Sequence, residues 1–362
     1  MEEKASLVLA NQIVPIQEQH KQKQRFHSAD PNDLYTLSLS ELYEISYHSK
    51  PPIVEGLLCT GVYILAGAPK IGKSFLVTQL AYHVSTGEKL WGFDVMQGTV
   101  LYLALEDSFQ RIQSRMFKMY GVNDADAHHF ATTAGKLGNG LETQLENFVS
   151  DHPDTRLIII DTLQKIRQSE KQGYAGDYEI IGKLKAFADD HGLCVLLVHH
   201  TRKQPAADSF NTISGSTGLL GSADGAIMMK KKTRSGTEAA LEISGRDLPD
   251  QVLYLKRDMD TLLWECNGAE NGLQEEQPDP ILESAAGLVS PDHPVWSGSP
   301  TEFAEAIHAG MAVNALTKYM NVNAGRLLEE NHVRYENKAR HTGRKVILTY
   351  MVVDTVEYRI LE

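Results

Sequence analysis

The stretch Gly67-Ala68-Pro69-Lys70-Ile71-Gly72-Lys73-Ser74 fits the pattern GxxxxGK[ST] and constrains the fold more tightly than any other part of the 362 residues. By composition alone, a match of this kind arises in roughly one chain in a hundred of this length. An apolar run, Val62–Ala66, leads into it, and a helical pattern, Lys73–Ser85, leads out. In that strand–loop–helix context glycines turn backbone N–H groups inward around phosphates, backed by the positive end of the following helix. Lys73 is then placed to reach the β and γ oxygens and Ser74 to ligate Mg²⁺, while Phe75 continues the cradle into the first helical turn. ATP and Mg²⁺ are the expected ligands.

From Gly61 onward, short β-branched runs alternate with longer segments of helical period. The core strands read as Val62–Ala66, Thr99–Leu105, Leu157–Ile160 and Cys194–Val198. Helices read as Lys73–Ser85, Phe109–Tyr120, Gly140–Ser150 and Tyr178–His191. This alternation predicts an α/β fold around a mostly parallel sheet. After residue 225 come Ala226–Met229, Ala240–Ser244, Val252–Lys256 and Leu262–Glu265, spaced as hairpins and so expected as an antiparallel extension of one edge.

Ligands of open α/β sheets gather at the carboxyl ends of the strands. There the sequence puts Glu106-Asp107, Asp161-Thr162 and His199-His200. Asp161 fits the second carboxylate of such a site, holding Mg²⁺ through water. Glu106 stands where a general base polarises the attacking water. His200 or His199 is placed to contact a γ-phosphate, and Asp107 is expected to cap the next helix.

Charge and composition narrow the classes further. Lys plus Arg number 35 against 47 Asp plus Glu, a net charge of −12, so any nucleic-acid contact must be local. Cys59, Cys194 and Cys266 form no CxxC pair, which argues against a disulfide framework or a zinc site. Apolar runs are of strand length, and the N-terminus lacks the basic start of a secretory signal. A cytoplasmic protein without membrane contact is expected. A small-molecule kinase would need an arginine-rich lid, and none is legible.

Taken in order, GAPKIGKS, LALED, LIIIDT and LVHHTRK resemble the RecA-like ATPases of the RepA type, the hexameric plasmid and phage replication helicases distantly similar to DnaB. The resemblance covers about residues 50–265. It implies a RecA-like core assembled as a ring, with ATP between subunits and single-stranded DNA in a central channel. By motif it makes Lys73 and Ser74 the phosphate and Mg²⁺ ligands, Glu106 the catalytic base, Asp161 the Walker B acid and His200 the γ-phosphate sensor. It also places a flexible, channel-facing loop at Ile213–Gly225. An inter-subunit arginine is implied as well, and Arg246, after one late strand, is favoured over Arg257, at the end of the next.

The organisation expected is an N-terminal arm over 1–50 with a short helix capped near Ser38 or Ser40, and an ATPase domain over 51–267. A Gly/Pro/Ser-rich linker follows over 268–300, then a winged-helix-like domain over 301–362. Residues 311–350 hold Lys318, Arg326, Arg334, Lys338, Arg340, Arg344 and Lys345 against three Glu, a local basic excess suited to duplex DNA. The functional expectation is Mg²⁺-dependent ATP hydrolysis coupled to DNA unwinding by a homo-hexamer. The alternative is an ATP-dependent DNA-binding switch, loader or initiator that does not unwind.

Overall fold

The computed structural model describes residues 34, 36–45, 52–167, 174–201, 209–213, 217–231, 236–246, 248–271, 278–340 and 343–351. The chain divides into two compact units, one over Lys50–Glu276 and the other joining Met1–Ser49 with Gln277–Glu362. No helix among the described residues is long and apolar enough to cross a membrane.

In chain order the elements of the larger unit are β1 (Gly61–Gly67), α1 (Lys73–Thr86), β2 (Thr99–Ala104), α2 (Phe109–Tyr120), β3 (His128–Ala131), α3 (Leu141–Asp151), β4 (Thr155–Asp161), α4 (Leu163–Ile166), α5 (Tyr174–His191) and β5 (Cys194–His200). Then follow α6 (Thr217–Ser222), β6 (Gly225–Lys231), β7 (Glu238–Gly245), β8 (Gln251–Arg257) and β9 (Trp264–Asn271). They build one nine-stranded sheet in the order β3-β2-β4-β5-β1-β6-β7-β8-β9. The strands from β3 to β6 run parallel, and β7, β8 and β9 add on antiparallel.

The continuous apolar runs are explained by helices on both faces. Alternate residues of each strand enter different cores: Tyr63, Leu65, Tyr102, Ile159 and Leu196 join one, packed against Leu76, Val77, Leu80 and Val84 of α1. Ile64, Leu103, Ile160 and Leu197 join the other, packed against Leu141 and Leu145 of α3 and Ile181 and Leu184 of α5. Each such aliphatic contributes roughly 1.5–3 kcal/mol relative to exposure. Register does the positioning. Gly67 pairs with His200 and Ala104 with Asp161, so the loop, the acid and the histidine emerge level at one edge.

Several sequence expectations need correction. The four core strands and four helices are found within a few residues of their expected bounds, but β3 was not expected, because His128-His129-Phe130-Ala131 carries no branched residue. The last strand runs from Trp264 to Asn271 rather than over Leu262–Glu265, since backbone pairing to β8 carries it through polar residues. Ile213–Gly225 is not a loose loop throughout: Thr217–Ser222 is helical, and Leu219, Ala223 and Asp224 are buried. Leu219 anchors that segment in the core beside α5.

The smaller unit contains a short helix, Leu39–Leu42, closed by a capping box between Ser38 and Glu41. Of the two cap candidates, Ser38 takes the role. Its C-terminal part holds α8 (Pro280–Ala286), β10 (Val295–Gly298), α9 (Pro300–Ala306), α10 (Val313–Val322), α11 (Ala324–Asn331), β11 (Val333–Arg340) and β12 (Gly343–Tyr350), where α7 denotes Leu39–Leu42. The three strands form an antiparallel sheet in the order β10-β12-β11.

The expected linker over 268–300 is therefore replaced in large part by structure. Asp279 caps α8, whose Leu282 and Ala285 are buried with Phe303, Leu316, Leu327 and Leu348. The apolar Ile281–Val289 run is what draws this stretch into a core. Nor does the described part of the N-terminal arm stand free. Asn321 Nδ2 donates to the Tyr43 carbonyl at 2.9 Å, and Glu44 pairs with Arg344.

Candidate nucleotide site

The loop between β1 and α1 is shaped by two residues with positive φ, Lys70 at 63° and Gly72 at 112°. Gly72 caps α1 with no side-chain hydrogen bond; the Phe75 amide donates to the Gly72 carbonyl at 3.2 Å, and the Lys73 and Ser74 N–H groups ahead of it remain for an anion. Lys73 is 94% removed from solvent, at 6% exposure, and folds back on the loop. Its Nζ donates to the Gly67 carbonyl at 2.7 Å and the Ala68 carbonyl at 3.1 Å, with His200 Nδ1 3.4 Å away. Burial pushes the Lys73 ammonium down to about 8, against the opposing pull of Asp161 and Glu106. A desolvated cation of this kind gains by meeting a polyanion.

Asp161 ends β4 beside the loop. Its Oδ2 accepts from Ser74 Oγ at 3.1 Å and from Tyr102 Oη at 2.9 Å. Burial raises its pKa, while those hydroxyls and Lys73 work in the other direction. Ser74 and Asp161 thus present adjacent hard oxygens, the donor chemistry that suits Mg²⁺. Glu106 lies two residues beyond β2, and its Oε1 accepts from Thr162 Oγ1 at 3.3 Å.

The paired histidines separate by strand alternation. His200 faces Lys73, and its pKa is lowered by burial and then by that ammonium. His199 is buried and takes no place in the cleft lining. Asp107 does not cap α2 as expected. Ser108 does, its Oγ accepting from the Arg111 amide, while Asp107 pairs with Arg115 at 2.6 Å and Arg111 at 3.2 Å.

These groups line a cleft of about 560 Å³, within the size range of small-ligand sites. Pro69, Lys70, Gly72, Lys73, Ser74, Phe75, Glu106, Asp161 and His200 all reach it. Arg246 does not. It follows β7, which runs antiparallel to β6, and so stands at the opposite edge of the sheet. There it lies 3.7 Å from Asp224 and donates to the Gly221 carbonyl at 3.1 Å. Arg257, the less favoured arginine, does line the cleft, as do Arg111 and Arg115. β8 turns back toward the loop, which brings its last residue, Arg257, to the loop end of the sheet, while an arginine acting on a neighbouring copy need not line the cleft of its own chain.

Residues 30–206 match the model of a family described as an AAA domain. With the sheet and loop described above, that match supports an α/β P-loop NTPase core and ATPase activity.

Proposed function

We propose that the chain is a Mg²⁺-dependent ATPase acting on DNA, a ring-forming replicative helicase of the RepA type from a plasmid, phage or integrated element. The observation that carries this reading is the convergence of Lys73, Ser74, Glu106, Asp161 and His200 on one cleft. Mg²⁺ held between Ser74 and Asp161 would supply positive charge to the β and γ oxygens. Lys73 exchanges its two loop carbonyls for those oxygens. Glu106, steadied by Thr162, orients the attacking water and takes its proton. His200, at Lys73, is positioned to register whether the γ-phosphate is present.

The smaller unit is read as a winged helix, with α9, α10 and α11 preceding the β11–β12 hairpin. Its basic residues would grip duplex DNA, and a single strand would pass through the channel of a hexamer in the cytoplasm. Part of this charge is already engaged: Arg326, Arg334, Lys338 and Arg344 each pair with a glutamate.

That pairing, with the packed Thr217–Ser222 helix, favours a second reading in which ATP switches DNA binding without unwinding. ATP turnover with and without single-stranded DNA, followed by displacement on a forked duplex, separates the two. The helicase reading expects DNA-stimulated turnover and displacement, both absent in Lys73→Ala. Stimulation without displacement selects the switch, and turnover indifferent to DNA removes DNA from the mechanism.

A further inference from the structure

The hairpin formed by β8 and β9 is bolted to the helix that follows the phosphate loop. Gln79 of α1 makes a two-way bond with Trp264, accepting from its amide at 2.8 Å and donating to its carbonyl at 2.9 Å. Trp91 Nε1 donates to the same carbonyl at 2.6 Å. The fully buried Trp264 indole lies against Gly72, to whose carbonyl its Nε1 donates at 3.4 Å. A Cβ on Gly72 would stand 2.7 Å from Trp264 Cζ2, so the loop accepts this ring only because residue 72 is glycine.

Arg257 is the strand partner of Trp264. Its guanidinium sits 5.7 Å from the Trp264 ring centroid and 5.2 Å from that of Phe75, a cation held by two aromatic faces. Its Nε is buried and has no partner among the described residues; there the guanidinium's hydrogen bond is the one Nη2 donates to the Met259 sulfur at 4.0 Å, with no acid paired to it. Lys231, nearby, is itself pushed down by burial and by the Arg257 charge. A fixed, unneutralised guanidinium thus opens onto the cleft beside Gly72 and Phe75. In the same cleft Lys73 Nζ lies 3.4 Å from His200 Nδ1 and feels the charges of Asp161 and Glu106. Since the loop and first-turn amides cradle the α and β phosphates while the lysine reaches outward to γ, the Phe75 side is the α-phosphate side.

We propose that Arg257 binds the α-phosphate of the nucleotide held by its own chain, kept in place by the Phe75 and Trp264 rings. This rests on the nucleotide reading above. It differs from the role of an inter-subunit arginine, which acts on the γ-phosphate of another copy and stabilises charge during transfer.

The test is titration calorimetry of ADP and a non-hydrolysable ATP analogue with the full chain, its Arg257→Ala variant and its Arg257→Lys variant. Losing a charge-assisted contact made equally to both nucleotides weakens both by about tenfold or more, and lysine, which lacks the planar stack, recovers only part. Unchanged ADP affinity in Arg257→Ala, with turnover reduced, overturns the proposal. An equal mixture of Arg257→Ala and Lys73→Ala chains gives a second reading. Assayed at ATP well below saturation, a residue acting within its own chain leaves the mixture no more active than its Arg257→Ala component alone, whereas turnover recovered above that level shows action on a neighbour and overturns the proposal. Wild-type chain that binds neither nucleotide overturns the nucleotide reading itself, a failure visible before any variant is compared.

Discussion

Two aspartates sit at opposite strand ends of the same sheet, Asp224 buried and Asp161 partly so, and their surroundings differ in kind. Asp224, before β6, is saturated: Oδ2 accepts from the Val62 amide at 3.0 Å, and Oδ1 pairs with Lys185, with Arg246 3.7 Å away. Gly61, at φ 118°, makes room for it, because a Cβ there would fall 2.5 Å from the carboxylate. Asp161 is instead met by two hydroxyls, and its nearest cation, Lys73, is turned onto carbonyls. A buried acid with its own cations ties strands together. One given only hydroxyls keeps its charge for something that arrives.

The largest effect expected from this contrast is on turnover. Lys73→Ala and Asp161→Asn each lower ATP hydrolysis by about a thousandfold, in line with losing charge stabilisation in a phosphoryl-transfer site. The melting temperature of Asp161→Asn does not fall. Burial holds the Asp161 carboxyl above its ordinary value, so in the folded protein its ionised form costs stability, a cost present at neutral pH and relieved as pH falls through the raised pKa. Asparagine removes that cost. A melting temperature that dropped with Asp161→Asn would break the comparison.

Asp224→Ala is expected to do the reverse. Removing the buried carboxylate leaves the Val62 amide without its acceptor and the part-exposed Lys185 without its partner, which costs about 1–3 kcal/mol, for a unit of this size a fall in melting temperature of roughly 5 °C. Turnover per folded molecule stays near wild type, measured below the transition. Loss of turnover without loss of stability would place Asp224 in the chemistry.

Proton uptake is a subtler consequence. The Lys73 pKa is depressed to about 8, so between that value and the ordinary lysine range the unfolded chain binds more protons and stability rises with pH. Phosphates restore the charged form. ATP binding near pH 8 should therefore take up as much as about half a proton, read as a dependence of binding heat on the buffer's ionisation enthalpy. Independence of the buffer would contradict the depressed pKa.

The smallest effect belongs to Arg246→Ala. Its half-exposed side chain and long ion-pair distance predict a stability loss of about 1 kcal/mol or less and turnover within a few-fold of wild type. A loss of turnover approaching a thousandfold would make it the inter-subunit arginine after all.

Much of this arrangement can be read from the chain itself. The glycine loop, the apolar runs and the polar residues at their ends lead to Lys73, Ser74, Glu106, Asp161 and His200, because each lies within a few residues of a strong periodic signal. The difference between Asp161 and Asp224 can be read only in part that way. Both adjoin apolar strands, and their order, one after Leu157–Ile160 and one before Ala226–Met229, puts them at opposite strand ends, but the distant Lys185 and Arg246 that engage Asp224 leave no local trace. Tyr102, inside a strand, looks like core until its hydroxyl is seen on Asp161. Gln79 and Trp264 are separated by 185 residues, and no local pattern announces their bond. Helix α8 was obscured by the Gly, Pro and acidic residues on either side of a short apolar run.

In the proposed reaction Glu106 is the base that takes the proton of the attacking water. Glu106→Gln, assayed for ATP binding and ATP turnover on the same preparation, tests it directly. The account predicts ATP affinity within about threefold of wild type and turnover lowered by about a hundredfold or more, the range expected for a general base. Turnover equal to wild type, with binding intact, would contradict it.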